Sequence, residues 1–433
     1  MNKSILGTAS LYAGGSLVTQ AIGFFSQIIL MRNLTLSDYG YYGLSFEVLI
    51  LLQMVVGGAF RNFYLQSFRN DKADLNSLTI YQFFNGSLYI AVFSVFLYFL
   101  YGVNWLISLS LTVSFVLTSF ALPLQTKMLA ENRRTILIIK DIVTALLALL
   151  TIWLSLKIFR LPVEKVVMVQ LLPAVIVAFT YMLLYQKDLF VWLKINKILL
   201  YAKLRYEKVL ISFIFVFLVN SLHNKLGVLY IKHFSNLSVL ALYLAAFKFI
   251  NPTLFIQTSL VSAYMPKFVS DVNFKFDKKI FFTFFIPGFA IVVFLYLLFP
   301  YLISLLGLSH YQNVYPLIKV GSWFILIVFI YGPLSNYIAV IGGQHFILLA
   351  NIFAFLFYMI SACIFGFFFE NQRMALSITF CFVIAECIIC ILYFFYLIKK
   401  KIEISFYFFF SSLIVMILCS LTYLQIISLT TFK

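Results

Sequence analysis

Hydrophobic positions in this chain do not fall into stripes. They run on without a break for the length of a bilayer, then yield to a few polar residues, then resume. A helix needs roughly 20 apolar residues to cross the hydrocarbon, and on that rule spans are predicted over 9–31, 41–60, 78–100, 104–125, 136–156, 165–186, 209–231, 238–265, 280–300, 316–341, 346–369 and 374–397. A thirteenth run, 406–429, is long enough to cross or to lie along the interface, and the sequence leaves both open. The first run follows a single Lys3 with no small-residue cleavage site behind it, so it is read as a retained helix.

The polar residues inside these runs are few and patterned. At 100° per residue Gly40, Gly43, Glu47, Met54, Gly58 and Arg61 fall on one face of the second span. Ala13, Ser16, Gln20, Gly23 and Gln27 share a face of the first, and Ser221, Lys225 and Lys232 a face of the seventh, beside Asn220, His223 and Asn224. On the eighth, Ala241, Lys248, Asn251, Ser259 and Ser262 align. Small residues let helices pack closely. Ionised groups at mid-bilayer are costly, about 2.5–3.5 kcal/mol on insertion scales, and persist where they meet a partner or a wet cavity. Polar faces on spans one, two, seven and eight therefore predict a hydrated cleft.

The second and eighth spans also match in sequence. Shifted by 201, Ser37 falls on Ser238, Tyr42 on Tyr243, Phe46 on Phe247 and Glu47 on Lys248. With a ten-residue insertion the later spans align too. Six spans per half preserve orientation, so the halves are parallel repeats, an arrangement in which transporters place substrate between the halves. The expected fold is an all-α integral membrane protein of two six-helix bundles, a 12-helix core with an additional C-terminal segment. Its parts are an N-terminal bundle over 1–186, a basic cytoplasmic linker over 187–208, a C-terminal bundle over 209–400 and a hydrophobic segment over 401–433.

Composition agrees: 64% of the 433 residues are hydrophobic and 10% charged, against about 25% charged in soluble domains. The net charge of +17 is explained by cytoplasmic loops collecting Lys and Arg. With the N-terminus inside, 21 of the 31 basic residues fall on the cytoplasmic side, and eight fall outside, among them Arg32, Lys157, Arg160 and Lys165. No soluble segment is large enough to present a nucleic-acid surface. The five cysteines all lie in apolar runs; Cys387 and Cys390 have CxxC spacing but no neighbouring His, which fits buried inert thiols and no metal site.

Several side chains are candidates for chemistry. Glu47 and Lys248 lie at similar depth on repeat-equivalent helices, which suggests a pair that closes and opens an outer gate. Equally, Lys225 and Lys248 could bind an anionic substrate with Glu47 a proton or cation site. Asp141 beside Lys140 reads as an interfacial pair, Glu386 as a mid-span coupling site or a structural carboxyl, and His223 as a packing residue.

Short motifs carry a family resemblance. The segments ILMRNLTLSDYGYYGLS from Ile29, MLAENRRTI from Met128, YLAAFKFINP from Tyr243, LISLLGLSHYQNVYPLIK from Leu302 and IAVIGGQHF from Ile338 resemble, in order, those of Wzx-type O-antigen or capsule-unit flippases. That family lies within the multidrug/oligosaccharidyl-lipid/polysaccharide exporter superfamily. The resemblance implies transfer of undecaprenyl-diphosphate-linked oligosaccharide from the inner to the outer leaflet of the bacterial cytoplasmic membrane. Cavity candidates are Lys225, Lys248, Arg61, Arg32, Gln20, Gln27 and Asn251; gate or coupling candidates are Glu47, Lys248, Glu386 and Asp141. No cofactor is expected beyond a coupling proton or sodium ion, and partners would be membrane lipids and polysaccharide polymerase and chain-length machinery. Asn224-Lys225 stands where many members have an acidic residue, and the thirteenth run exceeds the family core. A drug or small-cation antiporter is the nearest alternative, but such sites favour acidic linings. A polymerase or ligase would need a long external loop, and no enzyme activity or nucleotide motif is indicated.

Overall fold

The computed structural model describes residues 3–69, 75–131, 133–185, 198–270 and 274–431. They form helices throughout, with a single isolated parallel bridge between Phe276 and Ile404. Helix is the expected answer in hydrocarbon, where each backbone N–H and C=O must be satisfied within its own segment. Polar side chains within the spans follow the same rule by bonding back to the preceding turn, as Ser26 Oγ does to the Ile22 carbonyl at 3.0 Å and Ser377 Oγ to that of Arg373 at 2.8 Å.

The chain divides into two compact units, Met1–Leu222 and His223–Lys433. In the first, α1 (Lys3–Asn33) lies along α8 (Arg134–Trp153), and α6 (Trp105–Ser119) and α8 flank α9 (Val163–Tyr185). The second span is built in two pieces, α2 (Leu36–Leu52) and α3 (Gly58–Arg69), joined by a π-turn at Gln53–Gly57. The third is built the same way, α4 (Leu75–Tyr81) and α5 (Ser87–Tyr101) meeting at a π-turn over Gln82–Gly86. A third π-turn, Leu154–Ile158, ends α8, and α7 (Leu122–Ala130) packs on α3. α10 runs from Ile198 to Phe234, and the division between the units falls within it. Of the basic segment expected to link the halves, 187–197 lies outside the described residues and 198–208 forms the first turns of α10.

The second unit holds α11 (Leu237–Ile250), α12 (Leu254–Ser270), α13 (Lys278–Leu305), α14 (Tyr315–Val340), α15 (Gln344–Phe368), α16 (Asn371–Lys399) and α17 (Tyr407–Thr431). α14 is its axis, buried over most of its length and packed on α13, α16, α12 and α17. At one end Phe276 N–H donates to the Glu403 carbonyl at 2.9 Å and Ser405 N–H to that of Phe276 at 2.8 Å, a clasp between two loops. Phe268, Phe274, Tyr337 and Phe408 close round the Phe276 ring.

Twelve helical segments among the described residues, from Leu36–Phe68 to Tyr407–Ser428, are long and apolar enough to cross a membrane. Together with α1 they account for all thirteen runs. Large apolar side chains on the perimeter, such as Phe99 at 87% and Leu305 at 82% exposure, are the surface a bilayer would cover.

The repeat is visible in local structure. Thr35 caps α2 by accepting from Asp38 N–H, and Asn236, 201 positions later, caps α11 by accepting from Val239 N–H. α11 and α12 are interrupted by a 3-10 turn at Asn251–Thr253, close to the place where the π-turn interrupts the second span. Two helices with the same start and the same break are the structural counterpart of the matched sequences.

Candidate functional site

The first unit encloses a cavity of about 590 Å³, well inside the range of about 300–1,000 Å³ usual for ligand sites. Its polar lining is Gln53, Arg61, Gln82, Gln125, Lys140 and Asp141, with Thr118, Ser119, Thr144 and Asn220 between them. Met54, Ile90, Phe115, Val177 and Phe217 supply apolar wall. Arg61 and Lys140 against Asp141 leave one positive charge in excess.

Both interrupted spans contribute through their π-turns, a form of helix bulge frequent at functional sites. Each π-turn shifts the downstream helix by one residue, about 100° of rotation around its axis. In the second span this carries Gly57, Gly58 and Arg61 onto the cavity wall beside Gln53 and Met54. In the third it presents Gln82. That amide is fixed in a relay: Tyr64 Oη donates to its Oε1, its Nε2 donates to Ser119 Oγ at 3.0 Å, and Ser119 Oγ donates to the Val116 carbonyl at 2.7 Å. Gly86 closes the turn because the Gln82 side chain lies over it, its Oε1 only 2.6 Å from where a Cβ would stand. Lys140 Nζ reaches Asp141 Oδ1 at 3.1 Å and sits 6.0 Å above the Tyr181 ring.

The predicted site residues divide. Arg61 and Asp141 line this cavity; the Lys140–Asp141 pair, read as interfacial, stands on its wall. Glu47 does not: it is 4% exposed, while Met54, Gly58 and Arg61 from the same predicted face do line it. The single face drawn through the second span assumed an unbroken 3.6-residue helix, and the π-turn breaks it. Gln27 accepts from Tyr39 Oη at 3.0 Å, a bond between α1 and α2 inside the bundle. Gln20 and Arg32 are exposed on α1, Asn251 is exposed in its 3-10 turn, and Lys225 and Lys248 are half-buried on α10 and α11. Gln53, Gln82, Gln125 and Lys140 were missed as cavity residues. Three amides near the middle or inner third of apolar runs were the available signal.

The second unit holds a polar cluster of its own. Glu386 on α16 accepts from Tyr331 Oη on α14 at 2.7 Å through Oε2, and its Oε1 lies 3.2 Å from His223 Nε2 on α10. His223 and Glu386 are both almost fully buried, and the imidazole is packed between the Tyr358 and Phe382 rings. His223, read as a packing residue, is thus bonded to the carboxylate that was singled out as a coupling site. Among the described residues no group of three His, Cys, Asp or Glu side chains could hold a metal. Cys381, Cys387, Cys390 and Cys419 are buried free thiols.

The architecture is that of the MOP-superfamily transporters. Over 98% of this chain and 100% of the other, it superposes with a TM-score of 0.67 and 13% identity on a structure titled lipid II flippase MurJ in an inward closed conformation. An inward-facing multidrug resistance MATE family transporter of the MOP superfamily matches over 88% of this chain and 94% of its own, with a TM-score of 0.64 and 13% identity. A MOP superfamily transporter from Pyrococcus furiosus, whose title reports a reversed polarity of the binding pocket, matches over 91% and 95%, at a TM-score of 0.64 and 11% identity. No protein-family model and no curated protein matches the sequence. At these identities the likeness establishes the fold.

Proposed function

We propose that this protein moves undecaprenyl-diphosphate-linked oligosaccharide units from the inner to the outer leaflet of the bacterial cytoplasmic membrane, N-terminus inside, for surface polysaccharide (O-antigen or capsule) assembly. The observation that carries this reading is the cavity of the first unit, with its excess positive charge and its wall of fixed amides. A lipid diphosphate stripped of water in hydrocarbon costs several kcal/mol per charge at least. Arg61 and Lys140 offer charge-assisted hydrogen bonds in place of that water. Gln53, Gln82, Gln125 and Asn220 offer donors and acceptors in the pattern a sugar needs. A drug cation would instead meet like charge. The likeness in fold to a lipid II flippase supports the choice of a lipid-linked cargo.

In this reading the bundles rock to expose the cargo to one leaflet and then the other. Glu47 and Lys248 are the proposed gate pair, and the Glu386–His223 cluster the proposed seat of a coupling proton or sodium ion. A polymerase would receive the delivered unit.

The test is accumulation of lipid-linked units on the inner leaflet of a deletion strain. Wild-type protein restores surface polysaccharide, whereas Arg61→Gln with Lys140→Gln, expressed at equal level in the membrane, leaves at least about tenfold less, as expected for the loss of two charged hydrogen-bond donors. Units reaching the outer leaflet in the deletion strain, with no redundant transporter, would overturn the proposal.

A further inference from the structure

A second cavity, of about 430 Å³, opens at the other end of the first unit. Asn33, Leu34 and Asp38 form one wall, where α1 passes into α2, and Lys157, Arg160 and Pro162 the other, between α8 and α9. Asp38 and Met54, which mark the two cavities along the second span, are 16 residues apart, roughly 24 Å at 1.5 Å per residue. The turns of α2 between them are almost wholly buried, and Tyr42 Oη donates across to Gln170 there. The two cavities are therefore separate chambers at opposite ends of one bundle.

Three features mark the second chamber as a seat for an anion. Its carboxylate is already engaged, since Asp38 Oδ2 accepts from Thr35 Oγ1 at 2.7 Å. Its cations are not: among the described residues neither Lys157 nor Arg160 forms an ion pair, and both are exposed. Finally, Arg160 sits at φ +47°, a conformation that suits glycine. The flanking bonds Phe159 N–H to Leu154 carbonyl, 3.0 Å, and Leu161 N–H to Ser155 carbonyl, 2.9 Å, hold it there. A turn alone would be better made by glycine, and strain of this kind gathers at binding sites. With the N-terminus inside, these cations also stand on the face where Lys and Arg are least favoured.

We propose that Lys157 and Arg160 form an outer-face station for the phosphate-bearing headgroup of a lipid. The station rests on the flippase reading for the source of that headgroup, the prenyl diphosphate being delivered. Lys157 acts as a point charge and the Arg160 guanidinium as a planar fork against phosphate oxygens.

The experiment uses the full chain in phosphatidylcholine nanodiscs and labelled inorganic diphosphate, in an Arg61→Gln, Lys140→Gln background that silences the larger cavity. Lys157→Gln with Arg160→Gln should weaken binding about tenfold or more, and the interaction should fade as salt is raised. Arg160→Gly, which relaxes the backbone while removing the charge, should weaken binding without lowering the melting temperature. Farnesyl diphosphate should displace the probe and phosphatidylglycerol should not. Binding indifferent to the Lys157 and Arg160 changes overturns the station; displacement by phosphatidylglycerol as readily as by farnesyl diphosphate overturns the delivered lipid as its ligand. Diphosphate binding needs no transport, so failure of flipping in the deletion strain bears on the flippase reading separately.

Discussion

Glu386 and His223 are 163 positions apart in sequence and 3.2 Å apart in space, each surrounded by aromatic rings. Removing one member of such a buried pair strands the other, at a cost of roughly 3–5 kcal/mol. His223→Leu should therefore destabilise the protein by about that amount, while His223→Leu combined with Glu386→Met, which leaves neither polar group stranded, should recover most of it. Thermal unfolding in detergent of the two single variants and the double closes the cycle, and simple additivity would show that the pair does not interact. Glu386 and Asp141 were legible in the sequence because a carboxylate in an apolar run is costly and draws the eye. His223 was not, since imidazole sits comfortably among aromatic rings and its partner lies on a helix with no local link to it. Gln82 escaped for a similar reason: an amide carries no charge, and the Tyr64–Gln82–Ser119 relay appears only when three helices are assembled.

At the scale of the element, helix existence was readable from run length, and the runs and the helices coincide closely. Helix faces were not. The π-turn at Gln53–Gly57 rotates everything after it, so Glu47 is buried while Arg61 reaches the cavity. A cysteine at Gly57, where a Cβ would meet open space, should react rapidly with a membrane-impermeant maleimide entering from the cavity side. One at Ser45, a fully buried position before the turn, should not. The comparison is made in protein with its native cysteines replaced, and equal labelling would remove the distinction. Close helix packing gives a second expectation. A Cβ at Gly288 of α13 would stand 3.0 Å from Phe329 Cβ on α14, an atom that cannot swing aside. Gly288→Val should cost about 1–3 kcal/mol by overpacking, seen as a lowered melting temperature, whereas Gly23→Ala, which meets nothing, should not.

At the scale of the whole molecule, the twofold plan was visible in the match between Ser37–Glu47 and Ser238–Lys248. Thr35 and Asn236 at their helix caps now show why the match holds: each repeat starts its second helix with a side-chain acceptor at the same place. What the repeat could not reveal is where the units differ. The first breaks its second span with a π-turn and opens a polar chamber; the second uses a 3-10 turn and fills its centre with α14 and the Glu386 cluster. Function is therefore distributed unevenly over a symmetrical frame. For the proposed gate, Glu47→Lys and Lys248→Glu should each impair polysaccharide export, and the two together should restore a substantial part of it in the deletion strain. A double variant no better than either single change would dissociate the two residues.

The C-terminal helix is anchored along its length: Tyr423 Oη meets Ser377 Oγ at 2.7 Å, Thr422 Oγ1 receives Trp323 Nε1 at 3.3 Å, and the loop before it is stitched to Phe276. α17 is accordingly a rigid outrigger. A spin label placed on it would ride with the entire second unit, so distances measured from that helix by pulsed electron resonance would register the tilt of a lobe, undiluted by local breathing.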